Sequence, residues 1–187
     1  PLATDGTMLA RLERLERTEA ERSASEGQFR LAVEASPNAI LMVSEQGLIV
    51  LVNAQAERLF GYLRDEIVGQ PIEMLVPERF RRGHPDSRNA FFFAPRPRAM
   101  GAGRDLYGLR RDGSEVPIEI GLSPLTTPSG RMVLASIVDI TERKRAEEQF
   151  RLAVEAAPNA MIMVDEHGRM VLANSTAERL FGYSREE

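Results

Sequence analysis

Residues 28–66 read QFRLAVEASPNAILMVSEQGLIVLVNAQAERLFGYLRDE, and residues 149–187 read QFRLAVEAAPNAMIMVDEHGRMVLANSTAERLFGYSREE. The two stretches align without a gap at an offset of 121 residues, with 27 of 39 positions identical, so the chain carries an internal duplication. A period of that length is too long for a solenoid and suits a tandem array of domains. The first copy is expected to run on to residue 141, whereas the second stops at Glu187. The 187 residues thus give one complete unit and the opening third of another. A start at Pro1 rather than Met is expected of a fragment.

Working outward, Phe29–Ala35 continues a helix as far as the breaker Ser36-Pro37-Asn38. Ile40–Val43 and Leu48–Asn53 read as strands joined at Glu45-Gln46-Gly47, and Ala54–Phe60 as a short helix closed by Gly61. Upstream, Met8, Leu12 and Leu15 take coiled-coil spacing within Met8–Gln28. The stripe then passes through Glu19, Arg22 and Glu26 before Phe29, an imperfect seam that predicts a helix pairing two chains as a homodimer. Downstream, Leu63–Phe93 carries short helical turns interrupted by Gly69, Pro71, Pro77, Gly83 and Pro85. Three strands follow the Pro-rich Ala94–Arg98. They are Arg104–Arg110, the alternating Val116, Ile118, Ile120 and Leu122, and Met132–Val138, with turns at Arg111–Ser114 and Thr126–Gly130. Thr141–Gln149 is a charged helix running straight into the second copy. The order predicts an α+β fold, one five-stranded antiparallel sheet with helices gathered on one face. Its divisions are an N-terminal helix over 1–27, a complete domain over 28–141, a linker helix over 142–157 and the truncated repeat over 158–187.

Composition narrows the chemistry. Zero cysteine excludes disulfides, thiolate metal sites, iron–sulfur clusters, cysteine nucleophiles and any cysteinyl–flavin photoadduct. Apolar runs such as Ala39–Val43 and Leu48–Val52 fall far short of the ~20 residues of a membrane span, and no signal peptide is visible, so a cytoplasmic location without membrane contact is expected. Net charge is −4, yet residues 79–111 hold nine arginines against Asp86 and Asp105. These arginines are scattered among Pro and Gly without interleaved aromatics, which reads as a solvated surface and not as a nucleic-acid site. Glu115 and Glu119 share the solvent side of one strand, Gly101-Ala102-Gly103 opens a strand where a phosphate loop would open a helix, and no Ser/His/Asp order has supporting context. This fragment is not expected to be an enzyme.

Several spaced motifs agree in order: Pro37-Asn38-Ala39-Ile40, the run NAQAERLFGY over Asn53–Tyr62, Gly69, Arg111-Asp112-Gly113-Ser114, and Asp139-Ile140-Thr141 closing the last strand. Together they resemble a PAS domain of the sensory-box kind found in bacterial signalling proteins, completely over 28–141 and in part over 149–187. The resemblance implies a half-open sheet whose helical face holds a small molecule. It also implies flanking helices that carry the response to a downstream PAS repeat and an output domain such as a histidine kinase or nucleotide cyclase. Asp139, Ile140 and Thr141 are then relay residues, with Thr141 placed to cap the following helix. A ligand-free homodimerisation module is the alternative reading.

His84 and Arg104 add a narrower resemblance. Met100-Gly101-Ala102-Gly103-Arg104 is similar to the strand entry of haem-binding PAS domains of the FixL type of oxygen sensor. That likeness implies that His84 ligates the iron, Arg104 meets bound oxygen, and Ile120 and Leu122 lie over the distal side. No other metal site is expected. The residues themselves leave a second reading open: His84 lies between Gly83 and Pro85, and Ala90 stands where an arginine would meet a propionate, which suits an exposed histidine beside a helix start. Non-covalent flavin is the other cofactor considered, with Asn53 and Asn89 able to bond a ring edge, although Asn53 equally serves to tie down the first helix. His167, in the Glu166-His167-Gly168 turn, is expected at the surface.

Overall fold

A computed structural model describes residues 14, 17, 19, 24–100, 105–128 and 130–184. The backbone forms two compact units, residues 1–139 and 140–187. Met8, Leu12 and Leu15 of the expected N-terminal seam lie outside the described residues; Arg14, Arg17 and Glu19 are helical, as are residues 24–34, here α1.

In the first unit, β1 (Ala39–Ser44) and β2 (Ile49–Val52) form a hairpin. There follow α2 (Ala54–Phe60), α3 (Arg64–Ile67), a 3-10 turn (Ile72–Leu75), α4 (Glu78–Arg81) and α5 (His84–Phe93). The chain then enters β3 (Arg98–Met100), β4 (Leu106–Leu109), β5 (Glu115–Thr127) and β6 (Gly130–Asp139). All pairings are antiparallel, in the order β2-β1-β6-β5, with β3 and β4 both on β5. β3 pairs with Ile120–Leu122 and β4 with Glu115–Ile118, so the two occupy successive stretches of one edge and the sheet is five strands wide. β5 and β6 are longer than the alternation alone predicts. Pairing continues to Thr127↔Gly130, so the strands reach into the expected turn over Thr126–Gly130 from both sides.

The core of this unit joins the sheet to the helices through Leu41, Ile49, Val52, Phe60, Ile67 and Val116. Phe60 is 1% exposed, and its ring lies against Gly108 of β4, where an added Cβ would stand 2.8 Å from the ring edge. Only glycine permits that approach.

Asn53 fixes how α1, β1 and α2 meet. Its Oδ1 accepts from the Ile40 and Ala56 amides at 2.9 and 3.0 Å, and its Nδ2 donates to the Val33 and Asn38 carbonyls at 3.0 and 2.9 Å. The side chain is fully buried, and all four of these bonds are made inside the protein. It is therefore both the cap of α2 and the tie to the last turn of α1.

The second unit repeats this frame. It comprises α6 (Thr141–Glu155), β7 (Ile162–Val164), β8 (Met170–Ala173) and α7 (Ser175–Phe181). Asn174 accepts from the Met161 and Ala177 amides and donates to the Val154 and Asn159 carbonyls, the same four bonds at 2.9 to 3.0 Å. At the start of α6 the cap position belongs to Ile140, and Thr141 is the first helical residue. The expected Thr141 cap is corrected accordingly, because Ile140 already holds the non-helical backbone of that position.

Candidate functional site

Between the sheet and the helices of the first unit lies a cavity of about 190 Å³. Its floor is apolar, built from Leu41, Ile118, Ile120, Leu122, Ala135 and Ile137 on three adjacent strands. Phe60, Ile72 and Leu75 close one side, and Phe80, His84, Arg88 and Phe91 form the helical cover. The period-2 pattern of β5 accounts for the floor: Ile118, Ile120 and Leu122 share a face while Glu119 turns to solvent.

Helix α5 is held down at both ends. Phe91 and Phe92 pack on Val133 and Leu122, and Arg131 donates to the Phe92 carbonyl at 3.0 Å while also pairing with Glu45. At the other end, Glu73 Oε1 accepts from Arg88 Nη1 at 2.5 Å and meets His84 Nδ1 at 3.0 Å. Burial pushes the Glu73 carboxyl up. The His84 hydrogen bond, a backbone hydrogen bond and the Arg88 charge outweigh that and hold it below its ordinary range. Glu73 is thus a carboxylate, an acceptor only, and the proton of the Glu73–His84 bond sits on Nδ1. In the imidazole tautomer with its proton on Nδ1, Nε2 carries a lone pair.

Of the residues singled out in the sequence, His84, Ile120 and Leu122 line this one cavity, whereas Arg104 lies outside the described residues. His84 is not the exposed histidine of the second reading: it is the first residue of α5, three-quarters covered and paired. An imidazole oriented through Nδ1 by a carboxylate has the form of a metal ligand. The space beside it does not fit the group that the FixL-type resemblance implies. A cavity of about 190 Å³ lies below the ~300–1,000 Å³ of sites for drug-sized ligands, and a tetrapyrrole is no smaller than those. Flavin fares no better, because Asn53 is saturated inside the core and Asn89 is exposed. His167 is at the surface as expected.

Glu73 and Arg88 are the residues of this candidate site that sequence reasoning misses. Their signal was the spacing of His84 and Arg88, one turn apart on a helix. Among the described residues no cluster of acidic or histidine side chains could hold a metal ion, and no helix is long and apolar enough to cross a membrane. Asp139 ends β6 beside Arg110, whose Nη2 is 3.4 Å from its carboxylate.

Comparison with known proteins places this architecture. The chain is 28% identical over 164 residues to the oxygen sensor protein DosP of Escherichia coli (strain K12), covering 86% of this chain and 20% of that protein. It is 27% identical over 126 residues to the sensor protein FixL of Bradyrhizobium diazoefficiens, covering 67% of this chain and 25% of that one. The chain therefore spans only a fifth to a quarter of the length of these two relatives. Among solved structures, the PAS domain of an HTR-like protein from Haloarcula marismortui superimposes with a TM-score of 0.56 at 23% identity, covering 67% of this chain and 99% of that one. A PAS domain from Colwellia psychrerythraea gives 0.54 at 24%, covering 63% and 98%. The family model of the PAS fold matches residues 27–140 and again 148–187, each match opening one residue before a copy of the duplication. With most of its length accounted for in this way, the chain belongs to the PAS family.

Proposed function

We propose that this chain is a sensory and signal-relay module of a bacterial signalling protein, in which the first unit receives a small ligand and passes the change to the second. The observation that carries the reading is the apolar cavity under α5, walled by the same sheet whose last strand runs out to Asp139, with Ile140 alone between that strand and α6. Occupancy of the cavity loads Leu122 and Ala135, which are cross-strand partners on β5 and β6. β6 leads directly to the relay residues Asp139, Ile140 and Thr141, and Arg110 steadies the first of them. In the second unit Asn174 grips the far end of α6 through the Val154 carbonyl, so the helix is tied into the next sheet.

The parent is a cytoplasmic histidine kinase in this reading, and catalysis belongs to an output domain downstream. The partner of the N-terminal helix is a second copy of the chain. Phe29 and Leu31 on α1, and their repeats Phe150 and Leu152 on α6, are exposed large apolar side chains of the kind that helix pairing covers.

Hydrogen exchange tests the relay. A small molecule that raises the melting temperature of the chain is expected to change exchange rates across residues 139–155 as well as around the cavity. A change confined to the cavity walls would remove the relay from the account.

A further inference from the structure

We infer that the cavity of the first unit takes a compact, uncharged, mostly apolar molecule carrying one hydroxyl donor, and that His84 Nε2 accepts from that hydroxyl. The inference rests on reading this cavity as the ligand site, and it names the class of ligand.

Size sets the first limit. About 190 Å³ is slightly more than the ~150 Å³ of a dry apolar cavity that holds benzene, so one substituted ring or its aliphatic equivalent fills it. The lining sets the second. Ile118, Ile120, Leu122 and Phe91 offer no hydrogen bond from their side chains, and the Ser87 hydroxyl is engaged with the Gly83 carbonyl at 3.2 Å. Charge sets the third. The guanidinium of Arg88 is already neutralised by Glu73, so a carboxylate ligand would bring a second negative charge beside Glu73.

Among the residues that line the cavity, Arg88 Nε is buried without a partner and calls for an acceptor, which a hydroxyl oxygen supplies. The acceptor left over is on His84. Its Nδ1 is bound to Glu73, Nε2 makes no hydrogen bond among the described residues, and the ring lines the cavity. Because Glu73 holds the proton on Nδ1, Nε2 presents a lone pair and calls for a donor. A phenol or a compact alcohol supplies both the body and the donor.

The test uses the whole chain and three probes of matched size: p-cresol, p-xylene and p-toluate, each titrated calorimetrically into the parent and into His84→Phe. In a cavity without an acceptor, p-xylene binds better than p-cresol, since burying an unpaired hydroxyl is costly. Here the order is expected to invert, with p-cresol at least threefold tighter than p-xylene and p-toluate weakest. In His84→Phe the order returns to p-xylene first, and retained p-xylene binding shows that the variant is folded. Tighter p-xylene binding in the parent, or an unchanged order in His84→Phe, overturns the ligand class while leaving the cavity as a ligand site. Failure of all three probes overturns the cavity reading with it. A Soret band after addition of haemin that is lost in His84→Phe overturns the small-ligand assignment in favour of haem.

Discussion

The two copies of the repeat share most of their residues and differ almost entirely in what covers them. Leu41 is 0% exposed and its counterpart Ile162 is 44%; Ile49 is 0% and Met170 is 70%; Phe60 is 1% and Phe181 is 58%. Yet Asn53 and Asn174 are equally buried and make the same four bonds. Two levels of folding separate here. The helix–strand–helix frame is local: it is closed by one asparagine within some twenty residues of chain and forms in both copies. The cavity is long-range: it requires β5 and β6 to pair with β1 and α5 to lie over the sheet, and the first copy alone has those elements among the described residues. The proposed function follows the second level, because the cavity is made by the cover.

The largest expected difference is in the matched phenylalanines. Phe60→Ala removes a ring packed on Gly108 and should cost about 3–5 kcal/mol, whereas Phe181→Ala should cost about 1 kcal/mol or less, since more than half of that ring is already in water. Urea unfolding of the two variants measures both, and equal costs would break the comparison.

A smaller contrast sits in the matched hairpin turns. Gly47 and Gly168 adopt φ of 84° and 77°, so an alanine at either position should lose about 1 kcal/mol to left-handed backbone strain. At Gly47 the added Cβ would also run into the Arg88 guanidinium, 1.9 Å away, while at Gly168 it meets nothing within 4 Å. Gly47→Ala is therefore expected to cost roughly 1 kcal/mol more than Gly168→Ala, because it displaces the arginine that pins α5. Thermal melts of the pair would show it.

The smallest effect is in acid. Glu73 is held below its ordinary 4.5 in the folded unit, so its contribution to stability is fully present above about pH 4.5 and is lost as the pH falls towards the folded value. Glu73→Gln should lower stability at neutral pH and flatten the acid limb of the first unit. A pH series of unfolding curves with identical slopes below pH 4.5 would remove Glu73 from the clamp.

The same division of levels explains what could be read in the sequence. Both strands of the hairpin, the Ala54–Phe60 helix with Gly61 at its end, and the alternating face of β5 follow from local periodicity and turn chemistry, and the PAS motifs order them. The helix His84–Phe93 is harder to see because Pro85 reads as a break. At the second helical position its missing N–H costs nothing, so Pro85 starts the helix. Missing the helix hides Arg88, and with it the clamp on Glu73 eleven residues before His84. The Asn53 side chain is legible as a cap, but its reach back to the Val33 carbonyl depends on where α1 ends in space. His84, singled out by the haem reading, does line the cavity; the volume beside it comes from packing that no motif records.

Amide hydrogen exchange on the monomeric chain, comparing Ala39–Ser44 with Ile162–Val164, tests the central claim most directly. The two strands are nearly the same sequence, but β1 is paired on both edges and β7 on one among the described residues. The expected result is exchange in β1 only through global unfolding of the first unit, and exchange in β7 faster by several orders of magnitude. Equal, slow exchange in both strands would contradict the account, because it would mean that the local frame alone supplies the protection assigned here to the long-range cover.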